Sequence, residues 1–147
     1  MKKNVILFVL SLAIVFNACG QKVKENDVPS VVVDKFKNEY PAKTDVKWEK
    51  KGSNYEAKYK DKNEYLTVQY DKDGNMVQME HEIATTLLPT EVKVYTDKNI
   101  PGKNITEAYE VVDKDGNKVY ECVIEQTSYV FDSDGKYKEK KAKKTRK

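Results

Sequence analysis

An α+β fold, built from two tandem helix-plus-antiparallel-strand repeats that form a shared antiparallel sheet with the helices on one face, is predicted by three observations. From Asp45 onward apolar and polar residues alternate with a period of two, the period of a strand with one buried face. Before that, Val32, Val33, Phe36 and Tyr40 recur at three- and four-residue spacing between Pro29 and Pro41, the period of a helix stripe. The pattern then returns about sixty residues later: Leu88-Pro89 answers Val28-Pro29, Pro101 answers Pro41, and an Asp-x-Asp-Gly turn at Asp132 answers the one at Asp71.

The amino end reads as an export signal, residues 1–18. Lys2 and Lys3 form a positive region, and Val5 to Phe16 form an apolar run of twelve broken only by Ser11. That run is short of the roughly 20 residues a membrane span needs. It ends in Phe16-Asn17-Ala18-Cys19-Gly20, which resembles a lipobox: a small residue precedes the cysteine and glycine follows it, although Phe16 and Asn17 depart from the commonest pattern. Cys19 is therefore the expected lipidation site, and the membrane, reached through that anchor, is the first expected partner. Residues 19–27 are polar and read as a tether, which leaves Cys122 as a single thiol.

The first repeat spans residues 28–84. Pro29 suits the start of a helix because its missing N–H would have no intrahelical partner there, and Pro41 stops the helix. Four strands follow, with Val46 and Trp48, then Tyr55, Ala57 and Tyr59, then Leu66, Val68 and Tyr70, then Val77, Met79, His81 and Ile83 on one face. Gly52-Ser53-Asn54, residues 60–63 and Asp73-Gly74-Asn75 separate them at hairpin lengths, so the strands should be antiparallel with one wet face. The second repeat spans residues 85–140. Its helix, from about Thr90 to Asn99, is the poorer one, since Val92, Val94 and Tyr95 are its only apolar positions before Ile100. Ile105, Tyr109, Tyr120, Cys122, Ile124, Tyr129 and Phe131 supply the inward rows of its strands.

Length and composition bound the rest. A chain of 147 residues is one domain's worth, or two half-size units fused through a sheet, and a second full core is not expected. Charged residues make up 35%, but ten tyrosines, four phenylalanines and a tryptophan supply the bulk that a disordered chain of this polarity lacks. Of the formal net charge of +3, Lys2 and Lys3 carry +2 and residues 136–147 carry +7, leaving −6 on residues 19–135. An acidic globule offers nucleic acid no basic face, so no nucleic-acid partner is predicted. The tail, residues 141–147 with the lysines just before it, reads as a solvated, disordered end, with attraction to anionic headgroups as the sharper alternative.

The order Leu-Pro, short helix, Pro, aromatic-Glu strand (Trp48-Glu49, Tyr109-Glu110), Tyr-Glu strand (Tyr55-Glu56, Tyr120-Glu121) and aromatic strand ending in Asp-x-Asp-Gly resembles the PepSY-like, beta-lactamase-inhibitor-like domains of bacterial lipoproteins. The resemblance covers residues 28–140 in two copies. It implies one helix and about four antiparallel strands per repeat, secretion, and a binding or inhibitory role, with no catalytic residues to carry over.

Three chemistries bear on the residues themselves. Asp-x-Asp-Gly turns at Asp71, Asp113 and Asp132 invite a calcium loop, which needs oxygen ligands at loop positions 1, 3 and 5 and a glutamate at 12. Gly74 at position 6 puts Gln69 at 1 and Glu80 at 12, a partial match; Gly116 and Gly135 put Val111 and Val130 at 1, with Cys122 and Lys141 at 12, which fail. Hairpin turn chemistry accounts for the residues without a metal. His81 is the only histidine, so no His-based triad or metal site can be assembled. Cys122 alternates with Tyr120 and Ile124 as a buried thiol would. No enzyme activity, cofactor or metal is predicted. The expected function is that of a non-catalytic, lipid-anchored envelope module, an outer-membrane lipoprotein that inhibits or escorts a secreted or envelope protein; the alternative is an envelope sensor of a small ligand or ion. Tyr65 and Tyr95, as exposed aromatic anchors, and the turn residues Asp73 and Asn75 are the candidate binding residues.

Overall fold

The computed structural model describes residues 20–142. Cys19, the expected export signal at residues 1–18 and residues 143–147 lie outside the described residues. The chain runs β1 (Gln21–Val23), a 3-10 turn (Glu25–Asp27), α1 (Ser30–Glu39), β2 (Lys47–Lys51), β3 (Asn54–Asp61), β4 (Glu64–Tyr70) and β5 (Met76–Ile83). A second 3-10 turn (Thr85–Leu87) leads to α2 (Thr90–Asn99), β6 (Glu107–Asp113), β7 (Lys118–Ile124), β8 (Thr127–Asp132) and β9 (Tyr137–Ala142). All nine strands form one antiparallel sheet in chain order, β1 through β9. The two repeats share it through β5, which pairs with β4 on one side and β6 on the other.

Both helices begin one residue after a proline, whose carbonyl accepts from the first helical turn at Val32 and Val92. Helix α1 buries Val32, Val33 and Phe36 against Trp48, Tyr55, Ala57, Tyr59, Val68 and Tyr70. Phe36 meets Trp48 and Tyr59 edge-on at ring separations of 5.5 and 5.6 Å, the favoured aromatic geometry. Helix α2 buries Val92 over Cys122, Ile124 and Phe131, with Thr96 buried beside them.

Four expectations need correction. Residues 21–23 are not tether: they form β1, which pairs with β2 and enters a 3-10 turn and a proline-led helix just as β5 does before α2. Three residues with one half-buried side chain give no periodicity to read. Lys136 does not open a disordered tail, because Tyr137–Ala142 is β9, an edge strand exposed at every position. Instead of a single core there are two apolar clusters, one under each helix. Finally, the sheet face away from the helices is not simply wet. Glu56, Lys58, Thr67, Gln69, Glu80, Tyr109, Glu121, Val123, Ser128 and Val130 point to that side and are all buried. The nine-stranded sheet is curled, so that Lys51 at the end of β2 and Lys141 of β9 line one cleft across its hollow side.

Candidate functional site

Registry decides which side chains meet on the hollow side. Thr67 of β4 lies opposite Lys58 of β3 and Glu80 of β5, and the same row continues through Val111 of β6 and Val119 of β7. The neighbouring row runs Glu82, Tyr109, Glu121, Val130 and Glu139 from β5 to β9. Buried carboxylates are tolerable here because each sits among donors. The Lys58 ammonium is 2.7 Å from Glu49 Oε2 and 3.7 Å from Glu56 Oε2, while Gln69 Nε2 donates to Glu56 Oε1 at 3.1 Å. Gln78 Nε2 donates to Glu80 Oε1 at 2.8 Å, and Lys141 stands 3.6 Å from Glu121 Oε2. Tyr109, 2% exposed, donates its hydroxyl to Glu107 at 2.8 Å.

Between these polar groups lies a cleft of about 460 Å³ floored by Val111, Val119 and Val130. Its lining carries Lys51, Lys138 and Lys141 against Glu139 and the buried Glu80 and Glu121, so the formal charges of the wall cancel. A second hollow, of about 690 Å³, adjoins it through Gln78, Val111, Val119 and Lys138 and opens between the hairpins at Asp113 and Asp132. A charge-balanced lining around apolar valines favours a partner surface with an apolar tip flanked by amides, over a strongly charged one.

The candidate binding residues are not brought together. Tyr65 is half-buried at the far end of β4, with the Lys60 ammonium 5.3 Å over its ring. Tyr95 is no exposed anchor either: it stacks on Tyr137 at 4.6 Å and meets Phe131 edge-on at 5.4 Å, so its ring belongs to the α2 cluster. Asp73 and Asn75 sit on the hairpin tip against α1, where Gly74 packs on Val31, and Asn75 spends its amide on Asp71. The valines of the cleft were missed although they left a signal. The second repeat places apolar residues on consecutive positions, Val111-Val112, Val119-Tyr120 and Tyr129-Val130-Phe131, which is how a strand reads when both faces are covered.

The Asp-x-Asp-Gly turns are self-contained. Asp71 Oδ1 accepts the backbone N–H of Asp73 and Asn75, both at 2.9 Å; Asp113 does the same with Asp115 and Asn117, and Asp132 with Asp134 and Lys136. The Asn75 and Asn117 amides, joined by those backbone donors, hold the Asp71 and Asp113 carboxyls below the ordinary aspartate range. Among the described residues, no three His, Cys, Asp or Glu side chains converge as a metal would require. His81 Nε2 lies 2.7 Å from Glu64 Oε2. Cys122 is fully buried, and burial, aided by the Glu121 charge, pushes its thiol up to about 12.

Two overlapping segments, residues 15–78 and 54–139, match the family described as "Putative beta-lactamase-inhibitor-like, PepSY-like". The chain belongs to this family. Its two tandem PepSY-like repeats share the fold of a BLIP-like protein from Bacteroides fragilis NCTC 9343, with 20% identity over 78% of this chain and 86% of that one and a TM-score of 0.63. They also share the fold of one of the "putative periplasmic proteins" of Bacteroides eggerthii DSM 20697, at 15% identity, 78% and 88% coverage and a TM-score of 0.70. Among curated proteins, none matches the chain.

Proposed function

We propose that this PepSY-like chain is a non-catalytic binding module of the bacterial envelope, held to the outer membrane by a lipid on Cys19, and that it inhibits or escorts a secreted or envelope protein docked in the hollow of its sheet. The observation that carries this reading is the charge-balanced cleft over Val111, Val119 and Val130. The inhibitor-like family description and the periplasmic description of a protein with the same fold support it.

The test is capture from detergent-solubilised native envelope with the protein beginning at residue 19, in wild-type form and as Val119→Glu, washed at low and high salt. One stoichiometric protein retained at high salt by the wild type and lost by Val119→Glu is the expected result. Recovery of lipid or anionic polymer alone, removed by salt and indifferent to Val119, would overturn it. The cleft volume also falls within the roughly 300–1,000 Å³ range of small-molecule sites, which favours the sensor of a small ligand as the second reading. A compound that shifts the melting temperature of the wild type but not of Val119→Glu would move the assignment there.

A further inference from the structure

We propose that the end of the sheet carrying the hairpins after β2, β4, β6 and β8 faces the lipid surface, while the end of β9 points away. This rests on the acylation of Cys19 proposed above, and it follows from how little chain separates that residue from the sheet. Only Gly20 lies between Cys19 and β1, and Gly20 is itself packed against the Glu49 side chain. Successive Cα atoms are about 3.8 Å apart, so the anchor carries no more than about 8 Å of slack before the first sheet residue. Antiparallel pairing of Gln21 with Lys50 sets that residue at the β2 end that turns through Gly52.

In an antiparallel meander alternate turns share an end. The hairpins at residues 52–53, 71–75, 113–117 and 133–136 therefore lie together on the anchor side. Both helix starts are there as well, since Gly74 packs on Val31 and Gly135 on Pro89 and Glu91. The opposite end holds the turns at residues 62–63 and 125–126 and the stretch after α2, where Lys103 pairs with Glu125 at 2.6 Å. Ala142 pairs with Thr127 at that same end. Six residues of β9 span about 20 Å. Lys140 and Lys141 are thus held well off the anchoring bilayer. Three of the four hairpin tips at the anchor end are acidic, with Asp71, Asp73, Asp113, Asp115, Asp132 and Asp134 against Lys72, Lys114 and Lys136, while Lys50 and Lys51 lead into the one at Gly52.

Glycine supplies the test, because the protein from residue 19 has six and they divide between the two ends. The protein is labelled with nitrogen-15 at glycine and coupled through Cys19 to a maleimide lipid, the buried Cys122 thiol being closed to the reagent. It is then placed on phosphatidylcholine nanodiscs with and without a headgroup nitroxide. The amide signals of Gly52, Gly74, Gly116 and Gly135 should be attenuated along with Gly20, and Gly102 should keep its intensity. Removing residues 143–147 should leave this pattern unchanged. Attenuation of Gly102 equal to that of the hairpins, or a loss confined to Gly20 and Gly52 with Gly116 and Gly135 untouched, would overturn the proposal. Chemical coupling imposes the anchor, so failure here is distinct from failure of acylation, which is read from the mass of residue 19 in protein recovered from native envelope.

Discussion

Gly74, Gly116 and Gly135 occupy the same left-handed conformation, at φ of 84°, 81° and 81°, in turns of nearly the same sequence. Residues 71–75 and 113–117 are in fact the identical pentapeptide Asp-Lys-Asp-Gly-Asn. Their surroundings differ. A Cβ at Gly135 would come within 2.9 Å of the Pro89 and Glu91 Cβ atoms, one at Gly74 within 3.2 Å of Val31, and one at Gly116 would meet nothing within 4 Å. Alanine at any of them carries the left-handed penalty of about 1–2 kcal/mol, and crowding adds to it. Urea midpoints should therefore fall in the order Gly116→Ala least, then Gly74→Ala, then Gly135→Ala most. The neighbouring aspartates predict a pH effect. Because the folded-state values of Asp71 and Asp113 lie below the ordinary 3.8, their contribution is present above that value and lost as pH falls through the folded one. In urea titrations on the acid side, Asp113→Asn should flatten the decline relative to wild type.

At the scale of elements, the two helices occupy equivalent places with unequal means. Sixty positions on from Val32, Val33 and Phe36 stand Val92, Lys93 and Thr96. Thr96 fills its buried site with a small side chain whose hydroxyl donates to the Lys93 carbonyl at 3.0 Å, and Val94 is left 61% exposed. Truncating Phe36 to alanine should cost about 3–5 kcal/mol; Thr96→Ala should cost about 1 kcal/mol, the scale of one hydrogen bond. Amide exchange should show α2 opening more readily than α1 in the wild type. The helix limits and most strands were legible because prolines and a two-residue period mark them. The edges were not: Gln21-Lys22-Val23 and Tyr137-Lys138-Glu139-Lys140-Lys141-Ala142 bury almost nothing, so no alternation betrays them, and lysine is the residue that keeps an exposed strand from pairing further. The cleft escaped for the opposite reason. Lysine and glutamate on alternate positions read as solvated, and only the curl of nine strands covers Glu56, Glu80 and Glu121.

Across the whole molecule, two apolar clusters are bridged by one sheet in which β4 pairs with β5 and β5 with β6, the first ladder shifting register between Gln69 and Tyr70. Phe36→Ala should therefore loosen β2 to β4 first while β7 and β8 keep their exchange protection, a sub-global opening visible by native-state hydrogen exchange. Strand order that equals chain order has a further consequence, for synthesis and export. Each strand's neighbours are the ones made just before and just after it, so no early segment has to wait for a distant late one. Entropy of loop closure is small at every step. A polypeptide threaded through a membrane amino end first could lay down this sheet strand by strand as it emerges, with each repeat closing its own helix over its own strands before the next arrives.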